Sequence, residues 1–245
     1  MGEPIRVLHI LQRMEAGGTQ ALLMNIYRKI DRTKVQFDFL VVYKEKQFYD
    51  DEIESMGGHV YKLSFREDLN LPKFQKDLKN FFKQHHEYQI VHCHAYTIGY
   101  FCLKAAKKAG IPVKIAHSHN NETVHDIKYL PKLFMQRLFT LNATDLFACS
   151  EEAGKYLFKD KPFRVLKNAI DSQQFIANEN IRREVRQELG LENKYVVGHV
   201  GRLHPQKNHD FLIDVFAEIK KKKTDAELIL VDTVPLEDKG RSKVA

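Results

Sequence analysis

The stretch Tyr195–Phe216, YVVGHVGRLHPQKNHDFLIDVF, decides how the rest of the chain is read. It opens on an apolar run at Tyr195, Val196 and Val197, breaks at Gly198 and Gly201, and crosses a short basic turn carrying Arg202 and Lys207. It then enters a segment in which Phe211, Leu212, Val215, Phe216 and Ile219 recur at helical spacing. A strand feeding a glycine turn and a helix start leaves free backbone N–H groups and the positive end of a helix dipole facing one place, and here two long cations join them. That combination predicts a site for a diphosphate.

Working outward, the front of the chain has the same grammar. Ile5 to Leu11 (IRVLHIL) is an apolar run of strand length, followed by the turn QRMEAGGTQ and the helix-periodic ALLMNIYRKI. Strand-like runs at Phe37–Tyr43, His59–Leu63, Ile90–His94, Val113–His117, Leu146–Ser150 and Phe163–Leu166 alternate with helix-like segments. Those segments are Asp50–Met56, Leu71–His85, Gly99–Ala109, Lys128–Leu141 and Glu151–Phe158. Such alternation predicts an α/β protein with a doubly wound, Rossmann-like parallel sheet covered on both faces. We expect one such domain over 1–171, a polar linker over 172–193, and over 194–245 the start of a second domain. The second span holds only a first βαβ portion and a helix-like tail, PLEDKGRSKVA, which is short for a nucleotide-binding half.

A chain of 245 residues with 43% apolar content can build real cores, and its net charge of +7 calls for an anionic partner: nucleotide phosphates, acidic lipid or nucleic acid. The three cysteines, Cys93, Cys102 and Cys149, are odd in number and lack paired metal-ligand spacing, which fits a reducing compartment. With no signal-peptide pattern and no apolar stretch of membrane-spanning length, the expected location is cytoplasmic, with a peripheral place at the inner face of a membrane as its variant.

In an open parallel sheet, ligands bind where strands end. The candidates there are Gly17-Gly18-Thr19, His94, His117-Ser118-His119-Asn120, Ser150-Glu151, Asn168, and Arg202 with Lys207. The Gly17-Gly18 pair serves either close backbone approach to a ligand or an ordinary strand-to-helix turn. It is not a G-x-G-x-x-G fingerprint and no acidic residue closes the following strand, so a dehydrogenase is disfavoured. His92 and His94 share one strand face with Cys93 opposite, and His117 and His119 share another. These histidines either face a substrate or cap and fill a polar rim; no ligand set with metal spacing accompanies them, so no metal is expected. Ser150 sits in ACSEEAG, which lacks the G-x-S-x-G elbow and reads as a helix N-cap rather than a nucleophile.

Taken in order, GGTQ, HCH, AHSHN, ACSEEAG, VLKNAID and VGRLHPQKNHDFLIDVF resemble the glycosyltransferases of the GT-B fold, specifically the retaining family 4 that builds exopolysaccharide, capsule and other glycoconjugates. The resemblance runs from about Ile5 to Val231. It implies an acceptor-binding N-terminal domain, a C-terminal domain for a nucleotide-sugar donor such as a UDP- or GDP-sugar, no cofactor and no metal. It further implies that Arg202 and Lys207 hold the donor diphosphate and stabilise it as it leaves. By the same resemblance Gly17 and Gly18 approach the donor phosphates or the acceptor, and His119, rather than His117, stands beside the sugar ring. Thr19, His94, His117 and Asn120 would face a glycan or lipid-linked acceptor, while Asn168 is structural. Retention would proceed by front-face attack, the departing phosphate taking the acceptor proton.

The sequence departs from that pattern in three places. Ala169 replaces a usual Gly, and Asn208 replaces the Gly that often follows the Lys, a mild change because Asn tolerates a left-handed backbone. LVDTVP at Leu230 to Pro235 lacks the usual glycine-bearing turn, and no Glu-rich donor motif follows before Ala245. Weak or absent transfer by these 245 residues is therefore the expectation. The competing reading is an inactive acceptor- or membrane-binding fragment, docking on anionic lipid through the basic segment Leu71–His85 with Lys104, Lys107 and Lys108. Nucleic acid is set aside because the basic residues are not interleaved with exposed aromatics.

Overall fold

The structure is a computed structural model that describes residues 2–120, 129–201, 203 and 205–231. Chain contacts divide it into two compact units, Met1–Asp171 and Ser172–Ala245. Arg202, the turn over 232–235 and the tail from Pro235 lie outside the described residues.

The first unit runs β1 (Ile5–Ile10), α1 (Gly18–Lys29), β2 (Val35–Val41), α2 (Asp50–Ser55), β3 (Val60–Lys62), α3 (Leu71–Gln84) and β4 (Ile90–Cys93). It continues through α4 (Tyr96–Lys108), β5 (Val113–Ser118), α5 (Tyr129–Phe139), β6 (Asp145–Ala148), α6 (Glu151–Phe158) and β7 (Arg164–Val165). Its strands form one seven-stranded sheet in the order β3-β2-β1-β4-β5-β6-β7, every pairing parallel. This is the doubly wound arrangement: the direction of winding reverses between β1 and β4.

Alternation along the strands sorts side chains into two cores. Leu8 and Ile10 of β1 join Phe74, Leu78, Phe81 and Phe82 of α3 and Ile98, Cys102 and Leu103 of α4. Val7 and Leu11 point the other way, onto Leu23, Met24 and Tyr27 of α1 with Phe37, Phe39 and Ile53. Burial of such side chains is worth about 1.5–3 kcal/mol each before entropy is charged against it, so the helix faces are set by these stripes rather than by propensity.

Local signals terminate the elements. Asn70 caps α3 by accepting the Lys73 N–H at 2.9 Å, with Pro72 in the first turn where its missing N–H costs nothing. The chain leaves α4 through Gly110 at φ 81°, a left-handed backbone natural to glycine. β6 ends at Ala148, two residues before the expected Ser150, because the Ser150 hydroxyl is used to cap α6, accepting the Ala153 N–H at 3.1 Å.

The second unit holds α7 (Glu179–Glu188), β8 (Tyr195–Val200), α8 (His209–Lys222) and β9 (Ala226–Val231). The polar segment 172–193 thus carries a helix, capped by Asn178, none of whose residues is buried. β8 and β9 pair in parallel with α8 as the crossover, a single βαβ unit. Phe211, Val215 and Val200 stay exposed, since two strands and one helix cannot enclose both faces of the pair. No helix among the described residues is long and apolar enough to cross a membrane.

Candidate active site

The reversal of winding between β1 and β4 opens a crevice at their carboxyl ends, the place where an open α/β sheet receives ligands. Gly17, Gly18 and Thr19 follow β1 there, His94 follows β4, and His119 and Asn120 follow β5.

Helix α1 begins at this crevice without a side-chain cap and with no acidic residue in its first turn. Its first N–H groups and the positive end of its dipole are therefore open to an anion. Gly17 has ordinary extended backbone at φ −150°, and a Cβ placed on Gly18 would meet nothing within 4 Å. Packing inside the chain does not call for glycine at 18. Thr19 is half-buried and Asn120 is exposed.

The histidines gather into one buried cluster of five. His94 Nδ1 lies 2.8 Å from His119 Nε2, and His92 Nε2 lies 3.0 Å from His117 Nδ1. His9, a residue of β1 that the sequence did not single out, completes the group with its Nδ1 3.2 Å from His94 Nε2. The register explains its place: His9 stands directly opposite His92 across the β1–β4 pairing, on the face of β1 shared by Val7 and Leu11. Its only signal in the sequence is a polar residue at alternation with those apolar ones. Phe37 and Phe39 pack on His9, and Phe147 stands edge-on to His92 and His117.

Burial dominates the electrostatics of these rings, because a charged imidazole cannot be solvated there and each neighbour would repel it. His9 is pushed down to about 3, His117 to about 2 and His119 to about 4, while His92 and His94 fall well below 6.5. All five are neutral at neutral pH. His117 has no exposed surface and His94 little, whereas His119 is partly exposed, so His119 is the member presented at the sheet end. The Tyr96 hydroxyl accepts the His119 backbone N–H and fixes that ring's anchor. His94 and His117, expected at an acceptor, are buried, with His94 Nδ1 against His119 Nε2. The buried thiols take no part: desolvation raises Cys93 to about 12 and raises Cys102 as well.

In the second unit the basic turn after β8 folds Lys207 back on Gly201. A Cβ on Gly201 would lie 3.4 Å from Lys207 Cε, and the ammonium end stays exposed. Asn208 adopts the left-handed backbone at φ 48° and ψ 54°, as its replacement of glycine anticipated. α8 starts immediately afterwards with no side-chain cap, so its N–H groups and the Lys207 charge serve the same neighbourhood. Arg202 lies outside the described residues. Asn168 is exposed beyond β7.

A switch-point crevice in one Rossmann-like unit and a glycine turn, lysine and uncapped helix start in another define the class of GT-B glycosyltransferases. Residues 16–174 match the family model described as Glycosyltransferase Family 4, and residues 181–244 match Glycosyl transferases group 1. The chain belongs to Glycosyltransferase Family 4. It is 36% identical over 241 residues to the glycosyltransferase EpsF of Bacillus subtilis (strain 168), covering 94% of this chain and 62% of that protein. It is 25% identical over 239 residues, with the same coverages, to the capsular polysaccharide biosynthesis glycosyltransferase CapH of Staphylococcus aureus. Among solved structures, Alr3699/HepE of Anabaena in complex with UDP and glucose superposes with a TM-score of 0.74 at 19% identity, covering 94% of this chain and 62% of that one. The chain thus spans about 62% of the length of these relatives.

Proposed function

We propose that the protein transfers a sugar from a nucleotide-sugar donor, a UDP- or GDP-sugar, to a glycan or lipid-linked acceptor with retention of anomeric configuration, in exopolysaccharide or capsule biosynthesis. The observation that carries the reading is the turn Gly201–Asn208, where a lysine, a left-handed asparagine and an uncapped helix start converge. The names of the relatives support the polysaccharide setting, and the UDP bound to the Anabaena protein supports a nucleotide donor.

In this reading Lys207 and Arg202 neutralise the donor diphosphate and stabilise the charge that builds on it as the glycosidic bond breaks. Gly17 and Gly18 let the α1 N–H groups approach the donor or acceptor. His119, neutral and partly exposed, stands beside the sugar ring, and Thr19 and Asn120 receive the acceptor. His94 and His117 hold His119 in position. The departing phosphate takes the acceptor proton. No cofactor enters this scheme. The assay is transfer of labelled sugar from UDP- and GDP-sugars to a lipid-linked acceptor. Carried in a protein that spans the whole length of these relatives, Arg202→Ala and Lys207→Ala are expected to cut turnover by about 10²–10³-fold with melting unchanged; turnover equal to the parent's in both variants overturns the assignment.

A second reading concerns location, and one feature favours it. Between α3 and α4 lies a groove of about 630 Å³, floored by Phe82 and Phe101 and rimmed by Lys76, Lys79, Lys104 and Lys108. Apolar floor with basic rim suits an anionic membrane surface at the cytoplasmic face, where each lysine contributes about 1 kcal/mol. Sedimentation with liposomes should show binding that needs acidic lipid and is lost in Lys76→Glu/Lys104→Glu; equal binding to neutral liposomes counts against it.

A further inference from the structure

We propose that the histidine cluster of the first unit is a binding site for one first-row transition-metal ion of the zinc, nickel or copper type, ligated by His94, His117 and His119. One ring nitrogen from each of these residues lies within 4.8 Å of one from each of the others. Metal–imidazole bonds of about 2.0–2.1 Å place neighbouring ligand nitrogens about 2.9–3.4 Å apart. The facing pair His94 Nδ1 and His119 Nε2, at 2.8 Å, stands just below that edge length, and the ring of His117 lies against that of His119 with centroids 4.0 Å apart.

Two further observations point the same way. His117 Nε2, the atom that would ligate, is buried with no hydrogen-bond partner; His119 Nδ1 and His9 Nε2 are also unpartnered but lie outside the ligand set. Burying such an atom unpaired costs about 1–3 kcal/mol, and an ion at His117 Nε2 would relieve that cost. The remaining nitrogens are already occupied in the way that ligating histidines require. His92 Nε2 meets His117 Nδ1 at 3.0 Å, and His9 Nδ1 meets His94 Nε2 at 3.2 Å. With His117 bound through Nε2 and His94 through Nδ1, each ligand donates its other N–H to an outer histidine, which orients the ring and raises its basicity. His9, His92 and His94 form a second possible triad, fully buried. The first is chosen because His119 is partly exposed and offers the ion a way in, and because His9 and His92 are then the outer partners.

An all-imidazole set selects zinc, copper or nickel over magnesium or calcium, which take oxygen ligands. The ion would clamp the carboxyl ends of β4 and β5 together, and it would hold His119 at the same nitrogen that now faces His94. The proposal does not rest on sugar transfer, since it is measured without donor or acceptor.

The test uses the 245-residue chain, stripped with chelator and titrated with Zn2+ by calorimetry and with Co2+ by visible absorption. One equivalent should bind, and Zn2+ should raise the melting temperature. His117→Gln and His119→Gln should each weaken binding at least about 100-fold, and His92→Gln about 10-fold, the cost of losing an outer partner. If His117→Gln fails to fold, His119→Gln, altered at a partly exposed ring, decides. His85→Gln/His86→Gln, away from the cluster, should bind as the parent does. No bound Zn2+, undiminished binding in His119→Gln, or loss of binding in the His85/His86 variant each overturns the proposal.

Discussion

Asp38 is the most constrained carboxylate among the described residues. Its side chain is fully buried, yet it receives Arg6 Nε at 2.7 Å and Arg6 Nη2 at 2.5 Å, the His59 backbone N–H at 2.8 Å and the Tyr88 hydroxyl at 2.9 Å. Burial alone would raise its pKa, but these donors outweigh it and hold the group below 3.8. Because the folded value is lowered, its contribution is complete above pH 3.8 and is lost as pH falls through the folded value. Asp38→Asn leaves Arg6 half-buried without its counter-charge and should cost about 3–5 kcal/mol in urea unfolding at pH 7; a change under 1 kcal/mol would show the pair to be dispensable. At Asn208 the left-handed backbone makes the opposite kind of prediction. Asn208→Gly should leave stability within a few tenths of a kcal/mol, while Asn208→Val should cost about 1–2 kcal/mol in the second unit's melt. That position was legible in the sequence because backbone preference is a local property. Asp38 was not, since nothing in Phe37–Tyr43 announces a cation 32 positions away in the chain.

Among the elements, the contact of α4 with α5 is a close test of packing. A Cβ on Gly99 would lie 2.3 Å from Phe139 Cε2 and 3.0 Å from Cys93 Sγ, so α4 sits as close as it does only because residue 99 has no side chain. Gly99→Ala should therefore lower stability by about 1–3 kcal/mol despite the better helix propensity, and Phe139→Leu should restore part of the loss. A stabilising Gly99→Ala would mean that α5 can step back freely. At the start of α6, Ser150→Ala removes the cap and should cost about 0.5–2 kcal/mol by thermal melt. Element positions were readable because the stripes on α3 and α4, the cap at Ser150 and the stop at Gly110 act within a few residues. The helix inside 172–193 was less so: Ile181, Val185 and Leu189 recur at helical spacing, but among charged and polar residues, and all three stay exposed.

For the molecule as a whole, five uncharged histidines make stability depend on pH well above the carboxylate range. Their folded pKa values lie below the unfolded 6.5, so the unfolded chain takes up protons first and stability falls as pH drops below 6.5. Each ring contributes a loss approaching about 1.4 kcal/mol per pH unit until its folded value is reached. Unfolding free energies from denaturant curves measured in chelator at pH 7.5 and 5.5 should differ by several kcal/mol; superimposable curves would show that the rings are protonated in the fold.

The sequence by itself determined that this is a doubly wound α/β chain, roughly where the helices of the first unit lie, and that a glycine–lysine turn with Asn208 precedes α8. Those features are written in periodicity, capping and backbone preference, all of which act over a handful of neighbouring residues. Only the tertiary structure decided that His9 joins His94 from 85 residues away, that His92 meets His117, and that Arg6 meets Asp38. Strand order and register bring such groups together, and these are set by how the whole sheet buries both its faces.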